Sequence, residues 1–534
     1  MQLHSFDWFI IISYLIGMIA LSIWLSRGQK NKNDYYLGGN DTGAWPIAIS
    51  TMATQCSTNS ILGAPAFVAF SVGGGMLWLQ YELAVPFAMI FLMIFLLPLY
   101  RRLGIISVYA YLEKRFDKNT RLALSVLFQF IRAFATGVTV YGISIVISYC
   151  TGVSFAVSVI MLGVITIIYD SIGGMKAVII SDVIQMIVLY GSIILTIYYA
   201  ISIVGGFGEV ISSFDENRLK AINFTSHGFD GNSFAFLPML IGGFFLYVSY
   251  YGCDQSQVQR ELSTKNVDDT NLALFLNGIL RFPLVITYCF LGVCIGAYVA
   301  KHPEFVGLLP SENGSPNYNL SVPIFVIKYF PVGLVGLVMV GLFSAAMSSL
   351  DSTINSLSAT TMQDIFKSFL NKDFTQKQEL FMSKALTVFW GTVCTLFAFY
   401  VGDISDSIIV SMNKIGSLAN GPILGVFLLG ILTKRANGIG AISGLVIGFI
   451  TNAIFWIYVP NVTWPWWNMI GCVVCFGLGY FISFAKEETQ KNLDGLTFKS
   501  LQSDHQDMFK VNWKKYYYIL AGYGVLITAI CYSL

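Results

Sequence analysis

The stretch GLFSAAMSSLDSTINSLSA, residues 341–359, sets seven hydroxyl side chains and one carboxylate into an apolar run. On a helix, Ser344, Ser348, Asp351, Ser352 and Asn355 fall at i, i+4, i+7, i+8 and i+11, along one face, with Ser349, Thr353 and Ser356 beside it. Hydroxyl and carboxylate oxygens, with neither sulfur nor imidazole among them, suit a hard cation such as Na⁺. Hydrogen bonding between packed helices accounts for scattered serines. It accounts poorly for Asp351, because a carboxylate inside a membrane span is costly and needs a partner.

The elements that position this face are membrane spans. The 534-residue chain is 55% hydrophobic and 11% charged, less than half the charge of an ordinary soluble domain, ~25%. Its apolar runs reach the ~20 residues needed to cross a bilayer. The pattern predicts an all-α polytopic protein of fourteen spans near 7–26, 46–70, 77–99, 122–149, 153–169, 178–203, 235–255, 271–299, 332–360, 383–401, 406–431, 437–459, 467–485 and 516–533, each boundary good to about three residues. Of the 31 Lys and Arg, 24 lie in one alternate set of loops and four in the other: Arg218, Lys220, Lys301 and Lys328. The positive-inside rule then places both termini outside, in the plasma membrane, or in the inner membrane of a bacterium. No basic segment or cleavage pattern precedes the first span, so it is expected to remain in the mature chain.

A net charge of +2 gives no electrostatic case for nucleic acid. The nine cysteines lie within or at the ends of apolar segments, without disulfide or zinc spacing, and the Cys472/Cys475 pair in GCVVCFGLG reads as core packing. His4, His227, His302 and His505 are scattered, with no HExxH or GxSxG, so the chain does not read as an enzyme. Pore-lining charge rings and repeated filter loops are missing as well, which argues against a channel. With nineteen residues after Lys515, a sensor's signalling domain is not expected.

Two spans break the rules of a continuous helix. WPIAISTMATQCSTNSILGAPAFVAF carries a polar run and then Gly63 and Pro65. FLPMLIGGFFLYVSYYGCDQSQVQR carries Gly242, Gly243 and Gly252, then Asp254 and Gln255. Irregular backbone at membrane depth is tolerated where protein or a water-filled cavity satisfies it. Paired breaks at corresponding places in two halves point to a transporter built on an inverted repeat. The expected organisation is a first helix and loop (1–40), a first five-helix repeat (41–204), a loop (205–233), a second five-helix repeat (234–435) and three C-terminal helices (436–534).

Four further stretches carry a resemblance: YDSIGGMKAVIISDVIQMIVLYG (169–191), YGCDQSQVQRELSTKN, SAAMSSLDSTINSLSATTMQDI and NGPILGVFLLGILTKRANGIGA. Together they resemble the sodium/solute symporter family, which includes the sodium/sugar cotransporters and shares the LeuT-type inverted repeat. The resemblance covers nearly the whole chain. It implies sodium-coupled symport of a small solute by alternating access, with sodium as the coupling ion and a single chain as the working unit.

By that resemblance one sodium site takes backbone oxygens of Ala53, Cys56 and Ala345 and the hydroxyls of Ser348 and Ser349. Some members hold a second sodium, and the positions matching it are Asp182, Ser348, Asp351 and Ser352. Asp351 stands where those members carry a hydroxyl, so it either strengthens a second site or carries a proton. Asp182 has a plainer reading as a helix-start carboxylate.

The substrate is expected between the two breaks, among Gln55, Ser57, Asn59, Ser60, Glu82, Arg132, Tyr250 and Asn413. Glu82, Tyr250 and Asn413 match positions that sugar-carrying members use, whereas Asn59 and Ser60 replace a Glu-Gln pair of those members. Arg132 matches an arginine that sialic-acid-carrying members set on the substrate carboxylate. A guanidinium grips a carboxylate by two parallel hydrogen bonds. Arg132 could equally pair with Glu82 or another internal acid, and Lys414 is a second cation within a span. The substrate reading leans to a sugar acid or other small carboxylate, with a neutral sugar or polyol second.

Overall fold

The computed structural model describes residues 3–56, 58–312, 314–401, 408–485, 492–502 and 508–534. Twelve helices among them are long and apolar enough to cross a membrane. The fourteen expected spans map onto these twelve because one expected span is broken and two others join in a single kinked element.

The first helix, α1 (Ser5–Leu25), is followed by the broken span. Its first half is α2 (Ala44–Gln55). Cys56, at φ −80° and ψ 64°, leaves the helical path, and a π-type turn over Asn59–Gly63 leads into α3 (Ala64–Phe70), with Pro65 in its first turn. Pro is tolerated there because the first N–H groups of a helix have no intrahelical acceptor. The third span is α4 (Val85–Phe95), preceded by a short turn over Leu79–Glu82. Next comes α5 (Lys118–Thr151), capped by the Asp117 side chain on the Thr120 N–H.

α6 (Phe155–Val204) runs for 50 residues. A straight helix of that length would span ~75 Å, more than twice the ~30 Å hydrocarbon core. It reverses instead at Gly174, whose φ of 61° and ψ of −164° are non-helical. Tyr169 reaches Met347 and Asp351, while Asp182, thirteen residues on, reaches Ser348. An uninterrupted helix would hold those two residues ~20 Å apart along its axis. A Cβ at Gly174 would lie 2.6 Å from the Tyr35 carbonyl oxygen. Gly174→Ala is therefore expected to cost about 2–3 kcal/mol from the backbone conformation alone, and more from the overlap. The measurement is the thermal unfolding midpoint of the detergent-purified protein.

The second break joins α7 (Phe236–Cys253) to α8 (Gln255–Glu261). It falls at Asp254, which is extended at φ −92° and ψ 121° and is one of the polar residues the sequence set at this break, and not at the glycines before it. Gly242 stays helical and serves close packing: a Cβ there would meet the Pro465 carbonyl oxygen at 2.2 Å. The remaining spans are α9 (Val267–Lys301), α10 (Leu334–Thr360), α11 (Gln376–Phe397), α12 (Ile408–Leu432), α13 (Gly438–Tyr458), α14 (Trp464–Ile482) and α15 (Lys514–Ser533). α10 continues through a π-type segment, Thr361–Phe369. The loop before α10 holds a two-residue hairpin pairing Ser311–Glu312 with Ser315–Pro316.

α10 is the most enclosed of the twelve spans, and α1 and α15 are among the least. It packs against both arms of α6 and against α2, α5, α8 and α11. This contact set explains why a helix rich in Ser, Thr and Asn is stable at membrane depth. Its polar face meets polar partners in protein, not acyl chains.

Candidate functional site

The break in span two leaves the last carbonyls of α2 without a following helical turn. α10 passes this end. The Ser349 hydroxyl lies 3.4 Å from the Thr54 carbonyl oxygen and 3.3 Å from that of Ala345. Ala53, Cys56 and Ala345 are buried in the same region. One hydroxyl and two carbonyl oxygens from two helices thus converge, a donor set of hard, uncharged oxygens that fits an alkali-metal ion. Among the described residues no three His, Cys, Asp or Glu side chains gather at metal-holding distance. Thr54 was not anticipated. Its contribution is a main-chain oxygen, and nothing in the residue type announces that.

Ser348 turns the other way and donates to Asp182. The Asp182 carboxylate also accepts from Ser50 at 2.5 Å and pairs with the Arg260 guanidinium at 3.3 Å, with Asp182 and Arg260 both fully buried. Arg260 further donates to the Ser50 hydroxyl at 2.8 Å. The helix-start reading of Asp182 is therefore corrected. It sits eight residues past Gly174, inside a helix, and its charge is met by an arginine of α8. Asp351 accepts from the Tyr169 hydroxyl and from the backbone and side chain of Ser352. Ser352 in turn shares a 3.0 Å hydrogen bond with the Thr54 hydroxyl. Asp182, Ser348, Asp351 and Ser352 thus form one buried chain of polar contacts behind the first oxygen cluster.

A cavity of about 200 Å³ lies between the two breaks. It is of small-molecule scale, somewhat below the ~300–1,000 Å³ of ordinary ligand pockets. Gln55, Ser60, Glu82, Arg132, Tyr250 and Asn413 line it. Ser57 and the side chain of Asn59 lie outside what is described. The Gln55 side chain accepts a hydrogen bond from the Tyr251 hydroxyl. Glu82 accepts from Tyr247 at 2.8 Å and pairs with Arg281 at 3.1 Å. Arg132 pairs with Asp254, and its guanidinium stacks 4.9 Å above the Tyr250 ring. Of the partners suggested for Arg132, Glu82 is thus engaged elsewhere, and another internal acid, Asp254, takes that place. Lys414 faces the rings of Trp456 and Trp467, at 5.2 and 5.9 Å, and is not among the cavity's lining residues. Arg281 and Asp254 were missed as site residues. The signal for Arg281 was available, since a cation and a carboxylate each within a span, as Arg281 and Glu82 are, invite pairing.

A model of the sodium:solute symporter family matches residues 35–448. The chain belongs to that family. This symporter is 30% identical to the sodium/sialic acid symporter NanT of Aliivibrio fischeri over 491 residues, covering 90% of this chain and 94% of that one. It is 28% identical to the human sodium-coupled monocarboxylate transporter 1 over 463 residues, covering 86% and 74%. A solved structure of a Na⁺-coupled sialic acid symporter, substrate-bound and outward-open, matches with a TM-score of 0.81 at 25% identity, over 91% of this chain and all of that one. The fold is the expected LeuT-type arrangement with two broken helices. The symporter is a multi-pass membrane transporter and not an enzyme, it couples a small solute to sodium, and the oxygen cluster around Ser349 has the chemistry for that ion.

Proposed function

We propose that this symporter carries a small carboxylate, with a sugar acid such as sialic acid as the leading substrate. The observation that carries the reading is Arg132, a guanidinium lining the cavity between the two breaks. Relatives named for sialic acid and for monocarboxylates support the same class. A neutral sugar or polyol is the weaker reading, because the relatives reported above are named for sialic acid and for monocarboxylates and not for neutral sugars.

Sodium binds at Ala53, Thr54, Cys56, Ala345 and Ser349, with Asp182, Ser348, Asp351 and Ser352 as the second polar centre. Residues 41–204 and 234–435 form the two repeats that rock about the cavity, and one chain suffices. Both termini face outside, so sodium enters with the solute into the basic-loop side. For an anion carried with one sodium, the ~2.3 kcal/mol that the ion gains over ~100 mV is cancelled by the carboxylate's own charge, so a tenfold gradient worth ~1.4 kcal/mol supports roughly tenfold accumulation, and a second sodium would add both contributions and raise that to several thousandfold.

The test is uptake into proteoliposomes of labelled sialic acid, pyruvate and glucose, with and without an inward sodium gradient. Sodium-driven uptake of an acid is expected, and Arg132→Gln should reduce it at least tenfold. Uptake of glucose alone would reverse the ranking.

A further inference from the structure

Asp254 does two jobs with two oxygens. Its Oδ1 caps α8, accepting from the Ser256 backbone N–H at 2.9 Å and the Ser256 hydroxyl at 2.5 Å. Its Oδ2 accepts from Arg132 Nε at 2.5 Å and closely from Nη2. Arg132 and Asp254 both line the cavity, with side chains 22% and 13% exposed, so a ligand can reach the pair.

From this geometry we infer that Asp254 is an internal counter-ion, which a substrate carboxylate must displace from Arg132 in order to bind. The inference rests on the proposed carboxylate reading and adds a specificity determinant to it. The Nε/Nη2 edge that Asp254 occupies is one of the edges by which a guanidinium takes a carboxylate. Two carboxylates crowded onto one guanidinium repel each other, so the arriving group expels Oδ2 while Oδ1 keeps its hold on the helix N-terminus. A neutral ligand offers no charge to replace the one it would strip from Arg132, and the pair stays closed against it. Selection against uncharged solutes is thus built into the resting contact.

Displacement also reaches the ion-binding side. α8 carries Asp254 at its start and Arg260 near its end, and Arg260 pairs with Asp182, which holds Ser348 beside Ser349. Asp254 is accordingly a positioning residue. It acts on the substrate through Arg132, and its release frees the substrate-side end of a seven-residue helix whose other end belongs to the ion centre.

The experiment measures binding of sialic acid, of its methyl ester and of pyruvate to the purified protein in saturating sodium. Asp254→Asn keeps a helix-capping side chain without the charge. Asp254→Ser does so with a different shape and guards against misfolding of the first variant. Both are expected to bind sialic acid about tenfold more tightly, equivalent to ~1.4 kcal/mol, with binding of the ester unchanged. Unchanged or weaker binding of the acid by variants that keep the wild-type melting temperature overturns the inference. So does equal tightening toward the ester. If wild type binds neither sialic acid nor pyruvate, the substrate reading itself falls, an outcome separate from the variants' behaviour.

Discussion

Replacing Ser349 with alanine is expected to abolish sodium-dependent uptake while leaving the protein folded. Among the described residues, its hydroxyl is the side-chain oxygen that meets the Thr54 and Ala345 carbonyls at the broken end of α2. A polar contact to a charged group contributes ~1.5–3 kcal/mol. Losing it weakens sodium binding by roughly 10- to 150-fold and moves half-saturation beyond ordinary sodium concentrations. Ser349 is only partly buried and its own hydrogen bonds run to backbone oxygens, so the fold loses little, ~1 kcal/mol. The sodium dependence of uptake and the melting temperature, taken together, separate the two effects. Full uptake by the variant at low sodium would exclude this cluster as the coupling site.

Side-chain chemistry was legible in the sequence where it was unusual for its place. A carboxylate and seven hydroxyls in an apolar run marked α10, and polar residues followed by Gly63 and Pro65 marked the first break. Both are visible because a membrane span so rarely tolerates them. The second break was located only to within a dozen residues. Of the residues that marked it, Gly242 is demanded by close packing against the α14 backbone, while the chain opens at Asp254, which caps the next helix. Gly in a membrane helix signals close approach as readily as irregularity.

Partner choice was the least legible level. Arg132 faced several acids in the sequence, and spacing gives no reason to prefer Asp254, 122 residues away, over Glu82. Asp182 looked like a helix-start charge because the kink at Gly174 cannot be placed to the residue from a GG pair. Once the helix is seen to begin at that kink, Asp182 falls more than two turns inside it and requires a cation. Carbonyl ligands such as Thr54 leave no trace in residue type, and they became visible only with the backbone path of the break.

The second large effect is expected at Arg260. Its guanidinium is fully buried, pairs with Asp182 at 3.3 Å, and donates to the Ser50 hydroxyl and the Ser256 carbonyl. Arg260→Met leaves the Asp182 carboxylate in a closed interior with, among the described residues, the hydroxyls of Ser50 and Ser348 as its remaining donors. Stranding one member of a buried ion pair costs about 3–5 kcal/mol, a large share of the ~5–15 kcal/mol that holds an ordinary protein folded. The variant should lose its monodisperse peak in detergent or melt far below wild type. Adding Asp182→Asn removes the stranded charge and should recover most of that stability, since replacing both partners of such a pair is close to neutral. A double variant that melts as low as the single one would assign the energy to packing of the arginine and not to charge. If instead it folds but no longer binds sodium, then Asp182 holds the Ser348 hydroxyl for the ion and Arg260 makes that carboxylate tolerable in the membrane.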